Sequence, residues 1–240
     1  MAHVMVPFAN GKGGVGKTAL ACSFAVARAK QGADVMLADL NEDQQTALAW
    51  CQVRDHNELL PKIRVEVGST RMALEMVGRC DVLVVDTPGW TDKGTLALAK
   101  KSTFMVIPTG PNPTYELAPT VKLLHGLRAE GIEMWRLGVV LSRFSADEQP
   151  AREEEEFARA YLAEAGYGAL EGCVRNTTAY GTALAEGHGL TEVGKAGRLL
   201  DEATRMMDSI SKGVAAAERR LQRMSEPQRG RDRDRGGRSQ

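Results

Sequence analysis

The chain has 240 residues, 43% of them hydrophobic, with 31 basic and 31 acidic side chains. That is apolar material for one domain of ordinary size, and no stretch approaches the roughly 18 uninterrupted apolar residues of a membrane span. The charge is uneven: residues 212–240 hold nine Lys or Arg against four Asp or Glu, a basic end that suits an anionic partner surface.

Four cysteines (Cys22, Cys51, Cys80, Cys173) and four histidines (His3, His56, His125, His188) are scattered without ligand spacing. Structural thiols of a reducing cytoplasm are expected, and no metal cluster or disulfide. The opening MAHVMVPFANGKGG does not read as a signal peptide, because an apolar strand runs straight into a glycine loop.

In chain order, HVMVPFA predicts a strand, followed by the glycine loop and a helix over about 17–31 that Gly32 ends. DVMLADL, KIRVEVG, DVLVVDT, TFMVIPT and RLGVVLS predict further strands, mostly apolar on both faces, as in a parallel sheet covered on both sides. Helices are expected near 70–79, 96–100, 116–130 and 150–165. EGCVRN is a last short strand, and about 180–210 reads as helix interrupted at GHGL. The alternation predicts an α/β fold, a doubly wound, mainly parallel sheet with helices on both faces. Residues 1–212 form the expected domain. Residues 213–240 read as a basic, partly helical extension that becomes disordered from about 225, where EPQRGRDRDRGGRSQ lacks any bulky apolar residue.

Gly11-x-x-x-x-Gly16-Lys17-Thr18 has Walker A spacing between a strand and a helix, the context that motif requires. Glycines let successive N–H groups turn toward phosphate oxygens, and the helix N-terminus adds positive potential. Lys17 would neutralise the β- and γ-phosphates, and the Thr18 hydroxyl would ligate Mg²⁺. In DVLVVDTPGW, Asp86 ends a buried strand where such sites hold Mg²⁺ through water, and Gly89 follows at the spacing that lets its backbone approach a γ-phosphate. The plainer reading of Asp86 is a strand-capping carboxylate before a Pro-Gly turn.

Lys12, a second lysine in the same loop, remains to be explained. KGGVGKT resembles the deviant Walker A box of the ParA/MinD ATPases, in which the early lysine crosses an ATP-sandwich dimer and contacts the partner's phosphates. Two facing triphosphates repel, and a lysine donated in trans offsets that charge. The plainer reading is a solvent-exposed loop lysine. The resemblance spans roughly residues 4–210. ADLNEDQQTALAW with Arg54 resembles the switch I region, and VIPTGPNPTYELAPTVKLLHGL the stretch after the fifth strand, where Pro111 and Pro113 shape a loop near the nucleotide. GVVLSRF resembles the strand leading to an adenine-contacting segment. VRNTTAYGTALAEGHGLTEVGKAGRLLDEATRM is similar to the family's C-terminal pattern.

The resemblance implies ATP and Mg²⁺ as cofactors. Lys12, Lys17, Asp39 and Asn41 would be catalytic, and Thr18, Asp39 and Asp86 would hold the metal. Gly11, Lys12, Gly13, Gly14, Val15, Gly16, Lys17, Thr18, Ala19, Gly89 and Pro111 would bind the nucleotide. The family pattern Asp-x-Asp-Pro-Gln departs here: its second aspartate falls on Asn41, which can hydrogen-bond water but cannot take its proton. Glu42 or Asp43 would serve if the loop shifts by one or two residues. A weak, partner-stimulated ATPase is expected.

The function implied is a ParA-like cytoplasmic, nucleoid-associated ATPase. It would dimerise with ATP, bind non-specific DNA and position a plasmid or protein cluster through a ParB-like or other adaptor. Arg175, Lys195, Arg198 and Arg205 are the DNA-binding candidates, with Arg219, Arg220, Arg223 and the tail arginines adding to them. A MinD-like membrane switch needs a C-terminal helix rich in bulky apolar residues, and KGVAAAERRLQRM offers only Val214, Leu221 and Met224. No cysteine lies between Asp86 and Cys173, which disfavours an iron–sulfur reductase. Asn41 motivates the remaining alternative, an ATP-gated scaffold with little hydrolysis. The acidic run 153–156 reads as a solvated helix start, and Trp50 and Trp135 as packing residues. Trp90 is a candidate contact to a partner.

Overall fold

A computed structural model of the chain describes residues 3–89, 93–194 and 197–225. Seven strands make one parallel sheet: β1 (Val4–Phe8), β2 (Val35–Asp39), β3 (Arg64–Val67), β4 (Val82–Asp86), β5 (Met105–Thr109), β6 (Leu137–Phe144) and β7 (Ala169–Arg175). Their order is β3-β2-β4-β1-β5-β6-β7. Alternation along β1 explains how both faces fill. Val4, Val6 and Phe8 join one core, Met5 and Ala9 the other. On the first face lie α1 (Lys17–Lys30), α2 (Thr46–His56), α7 (Thr178–Ala185) and α8 (Arg198–Ser225); on the second lie α3 (Thr70–Met76), α4 (Lys93–Lys101), α5 (Ala118–Ala129) and α6 (Glu148–Glu164). This is the doubly wound α/β architecture expected, and such sheets open their ligand crevice at the carboxyl ends of the strands.

Three local differences from the sequence expectations have physical causes. The stretch after β5 begins as a π-helical turn over Pro113–Leu117, where the Asn112 side chain accepts the Thr114 and Tyr115 N–H groups. α6 starts at Glu148, so the acidic run lies one turn inside it. Within that run Glu154 takes both the Ser145 N–H and the Ser145 hydroxyl, at 2.8 and 2.6 Å. The 180–210 helix is interrupted about GHGL as expected, with a 3₁₀ turn at Leu190–Glu192, but the second helix runs on to Ser225 without a break at 212. Val214 and Ala217 are buried along that extension. Gly213 lies against the Phe104 ring, where a Cβ would come within 2.7 Å. The small residues that make the segment look like a poor core former are what let it approach the sheet.

Candidate functional site

Where β1, β2, β4 and β6 end, a cleft of about 280 Å³ is lined by the glycine loop, Lys17, Thr18, Asn41, Gln44, the Thr87–Gly89 turn and Arg143. Gly14 and Gly16 adopt φ of 78° and 86°, left-handed values that cost glycine little. Gly16 also needs to be small: a Cβ there would lie 2.7 Å from Ser142 Oγ. Gly89 passes so close to the loop that a Cβ would meet the Gly13 Cα at 3.0 Å. Thr87 Oγ1 donates to the Phe8 carbonyl at 2.9 Å, which fixes the start of that turn to β1.

Lys17 is 7% exposed, and its ammonium donates to the Lys12 carbonyl at 2.9 Å. Burial pulls its pKa below the usual lysine value, against the raising effect of Asp86. Lys12 itself is exposed. Thr18 Oγ1 donates to Asp86 Oδ2 at 2.6 Å, while Asp86 Oδ1 is buried with no hydrogen-bond partner among the described residues. Burial, with the nearby Asp39 carboxylate, pushes the Asp86 carboxyl up to about 7, and the Thr18 hydroxyl and Lys17 oppose that only in part. A carboxylate oxygen left without a described partner, a hydroxyl and an only partly compensated charge form a donor set that fits Mg²⁺, a hard cation that takes oxygen ligands and keeps several waters.

Asp39 is engaged by backbone donors. It is fully buried beside Asp86 on the neighbouring strand. Its Oδ1 accepts the Asn41 N–H, and its Oδ2 accepts the Ala47 and Leu48 N–H groups at 2.9 and 3.3 Å. It therefore caps α2 from the end of β2. Asp39→Ala should cost about 1–2 kcal/mol, the usual size of a lost helix cap, and should speed hydrogen exchange of the Ala47 and Leu48 amides ahead of the rest of α2. Unchanged exchange there would refute the capping role.

Among the three candidates for orienting water, Asn41 lines the cleft, with its side chain paired to Gln44 through two hydrogen bonds. Glu42 and Asp43 are exposed. Gly11 is also exposed, Val15 is buried beneath the loop and Ala19 borders the cleft, whereas Pro111 is not among its lining residues. Arg175, Arg198 and Arg205 do converge on one groove, but carboxylates share it: Arg175 pairs with Glu202 at 3.0 Å and Arg198 with Glu148 and Glu202 at 3.5 Å. Lys195 and Trp90 lie outside the described residues. Trp50 and Trp135 are packing residues, Trp50 donating to the His188 carbonyl and Trp135 lying under the Arg220 guanidinium.

Three contributors escaped the sequence reading. Asn10 is buried beneath the loop, donating to the Pro108 carbonyl and Thr120 Oγ1 and accepting the Lys12 N–H. A lone polar residue between an apolar strand and a glycine loop was the available signal. Gln44 follows from the Asn41 turn. Arg143 reaches the Gly14 carbonyl from β6, and no spacing rule announces it. Among the described residues no group of three or more His, Cys, Asp or Glu side chains is arranged to hold a metal, the four cysteines are free thiols, and no helix is long and apolar enough to cross a membrane.

A family model described as the CobQ/CobB/MinD/ParA nucleotide binding domain matches residues 6–190. The maintenance of carboxysome distribution protein A of Gloeobacter kilaueensis is 32% identical over 185 residues, which are 76% of this chain and 82% of that protein. Among solved structures, MinD of Pyrococcus horikoshii complexed with Mg-ADP matches with a TM-score of 0.69 at 14% identity, over 90% of this chain and 99% of that one. An ATP complex of a Cyanothece McdA variant matches with a TM-score of 0.64 at 15% identity, over 91% and 97%. At those identities the likeness to the solved structures is one of fold.

Proposed function

This chain belongs to the CobQ/CobB/MinD/ParA nucleotide-binding family, and on that premise we propose that it is a Mg²⁺- and ATP-dependent positioning ATPase that works as a dimer. ATP would bring two copies together across their phosphate loops. The paired form would hold non-specific nucleoid DNA, and a cargo-bound adaptor would stimulate slow hydrolysis. The coupling follows from γ-phosphate loss, which removes the contacts that hold the two copies together. The relative's name, maintenance of carboxysome distribution, supports a protein assembly as cargo rather than a plasmid.

One observation carries the reading: the same loop buries one lysine and exposes the other. Lys17 turns inward to the Lys12 carbonyl, which leaves the Lys12 side chain outside its own site. An exposed cation beside a phosphate site can neutralise the charge of a second, facing nucleotide. Sizing with ADP, with ATP and with a slowly hydrolysed analogue tests it. Wild type is expected to pair only with the triphosphates. Lys12→Ala should bind ATP but stay monomeric, with its dimerisation weakened about tenfold or more. Pairing that ignores nucleotide, or a Lys12→Ala chain that pairs as wild type does, would reject the mechanism.

The DNA surface is revised by the ion pairs of Arg175 and Arg198. We assign the nucleic-acid role first to Lys212, Arg219 and Arg223, exposed along the second half of α8, and to the arginines beyond Ser225. Binding there would be electrostatic and salt-dependent. The apolar stripe of α8 packs inside the protein through Met206, Ile210 and Val214, which counts against a membrane-surface role. A scaffold that barely hydrolyses ATP is favoured by Asn41 at the cleft; no phosphate release above a Lys17→Ala control, with DNA and adaptor present, would select it.

A further inference from the structure

We infer that Arg143 is a positioning residue of the nucleotide site, one that holds the phosphate loop in its binding shape through the Gly14 carbonyl. The inference rests on the nucleotide-binding reading above. Arg143 adopts φ of 65°, a left-handed conformation that a bulky residue rarely takes. The β6–β7 register shifts between Ser142 and Phe144, so the strand carries an irregularity at this residue, and such bulges re-aim a side chain. Leu141, Ser142 and Phe144 are buried while Arg143 is exposed on the cleft. Both sides of the kink are held: the Phe144 carbonyl accepts the Asn176 N–H at 2.7 Å, and Glu154 clamps Ser145. Strain kept in place by such supports gathers at working sites.

The redirected guanidinium donates from Nη1 to the Gly14 carbonyl. A Cβ at residue 14 would lie 3.1 Å from that nitrogen, and one at residue 16 would lie 4.0 Å from Arg143 Cγ. The loop backbone therefore packs on Arg143 along two of its glycines. In a trans peptide the carbonyl and the following N–H point in opposite directions, so pinning the Gly14 carbonyl also fixes the Val15 N–H, a donor of the kind that cradles phosphate. Glycines have the most backbone freedom to lose. Fixing them beforehand lowers the cost of binding, and a charge-assisted bond is strong enough to do so.

The test separates the guanidinium from the backbone. Asparagine tolerates the left-handed region, so Arg143→Asn keeps the kink and removes the cation; Arg143→Gly does the same with more freedom, and Arg143→Lys keeps a charge. Calorimetric titration with MgATP and MgADP is paired with melting curves of the nucleotide-free chains. Arg143→Asn and Arg143→Gly should each weaken both nucleotides about tenfold while melting within a few degrees of wild type, and Arg143→Lys should recover part of the loss. Affinities within twofold of wild type would overturn the role, as would large falls in melting temperature for both αL-tolerant variants. Wild type that titrates no better than Lys17→Ala would instead overturn the nucleotide reading, and this inference with it.

Discussion

Lys17→Ala is expected to remove nucleotide binding while leaving the fold standing. The ammonium is buried, desolvated and satisfied by one carbonyl, that of Lys12. A group in that position contributes little to the empty protein, because burial already disfavours its charge. With a triphosphate in the cleft it would make charge-assisted bonds to two phosphates, each worth about 1.5–3 kcal/mol. Affinity should therefore fall about 100-fold or more. In thermal melts the variant should lie within a few degrees of wild type without ligand and lose the rise that MgATP produces. A variant stabilised by MgATP as strongly as wild type would remove Lys17 from the site.

The second large effect lies away from the cleft. Arg54 is fully buried; its Nη1 and Nη2 reach both Glu192 oxygens at 2.7 and 3.2 Å, and further donors reach the Leu60, Pro61 and Gly187 carbonyls. Gly187 presses on the Arg54 backbone, where a Cβ would come within 2.5 Å. Lys30 supplies Glu192 with a second cation at 2.8 Å. Arg54→Met leaves Glu192 with Lys30 as its remaining cation, takes the donor from three carbonyls, and should cost about 3–5 kcal/mol, measured as a lower urea midpoint. The pH dependence has a definite sign. Burial alone would raise the Glu192 pKa, but hydrogen bonds from Arg54, Lys30 and the Gly189 N–H outweigh it and hold it at about 2, against an ordinary 4.5. Its contribution is therefore complete above about pH 5 and lost as pH falls from 4.5 toward 2. Glu192→Gln should trail wild type most at neutral pH and approach it in acid. A gap that widened in acid would contradict the assignment.

How much of this could be read from the sequence depends on the range of the interaction. The β1–α1 loop and the Asp86 strand end were evident because glycine spacing and uninterrupted apolar runs are local signals, and a parallel sheet buried on both faces writes such runs directly. Asp39 was legible at its strand end, but its three N–H partners were not, since they lie in the turn after β2 and at the start of α2, whose geometry residues 41–45 do not announce. Arg54, buried against Gly187 and Glu192, looks like any helix-surface arginine until α7 and the turn after it are laid beside α2. The same holds for Arg175 and Arg198: basic character is written in the sequence, whereas the carboxylates that neutralise it arrive from α6 and α8. Arg143 is the extreme case, because a left-handed arginine has no compositional mark at all.

α8 has a bearing on how traffic at the two ends of the molecule is kept apart. Arg198 at its start donates to the Ala146 carbonyl just past β6, while Arg220 near its end lies over Trp135, just before β6 begins. At 1.5 Å per residue the 28-residue helix spans roughly 42 Å, longer than any strand of the sheet. The C-terminal end of α8 thus lies toward the pole opposite the phosphate loop. Whatever grips Arg219 and Arg223 at that end need not compete with nucleotide, or with a second copy seated over the loop, for the same space.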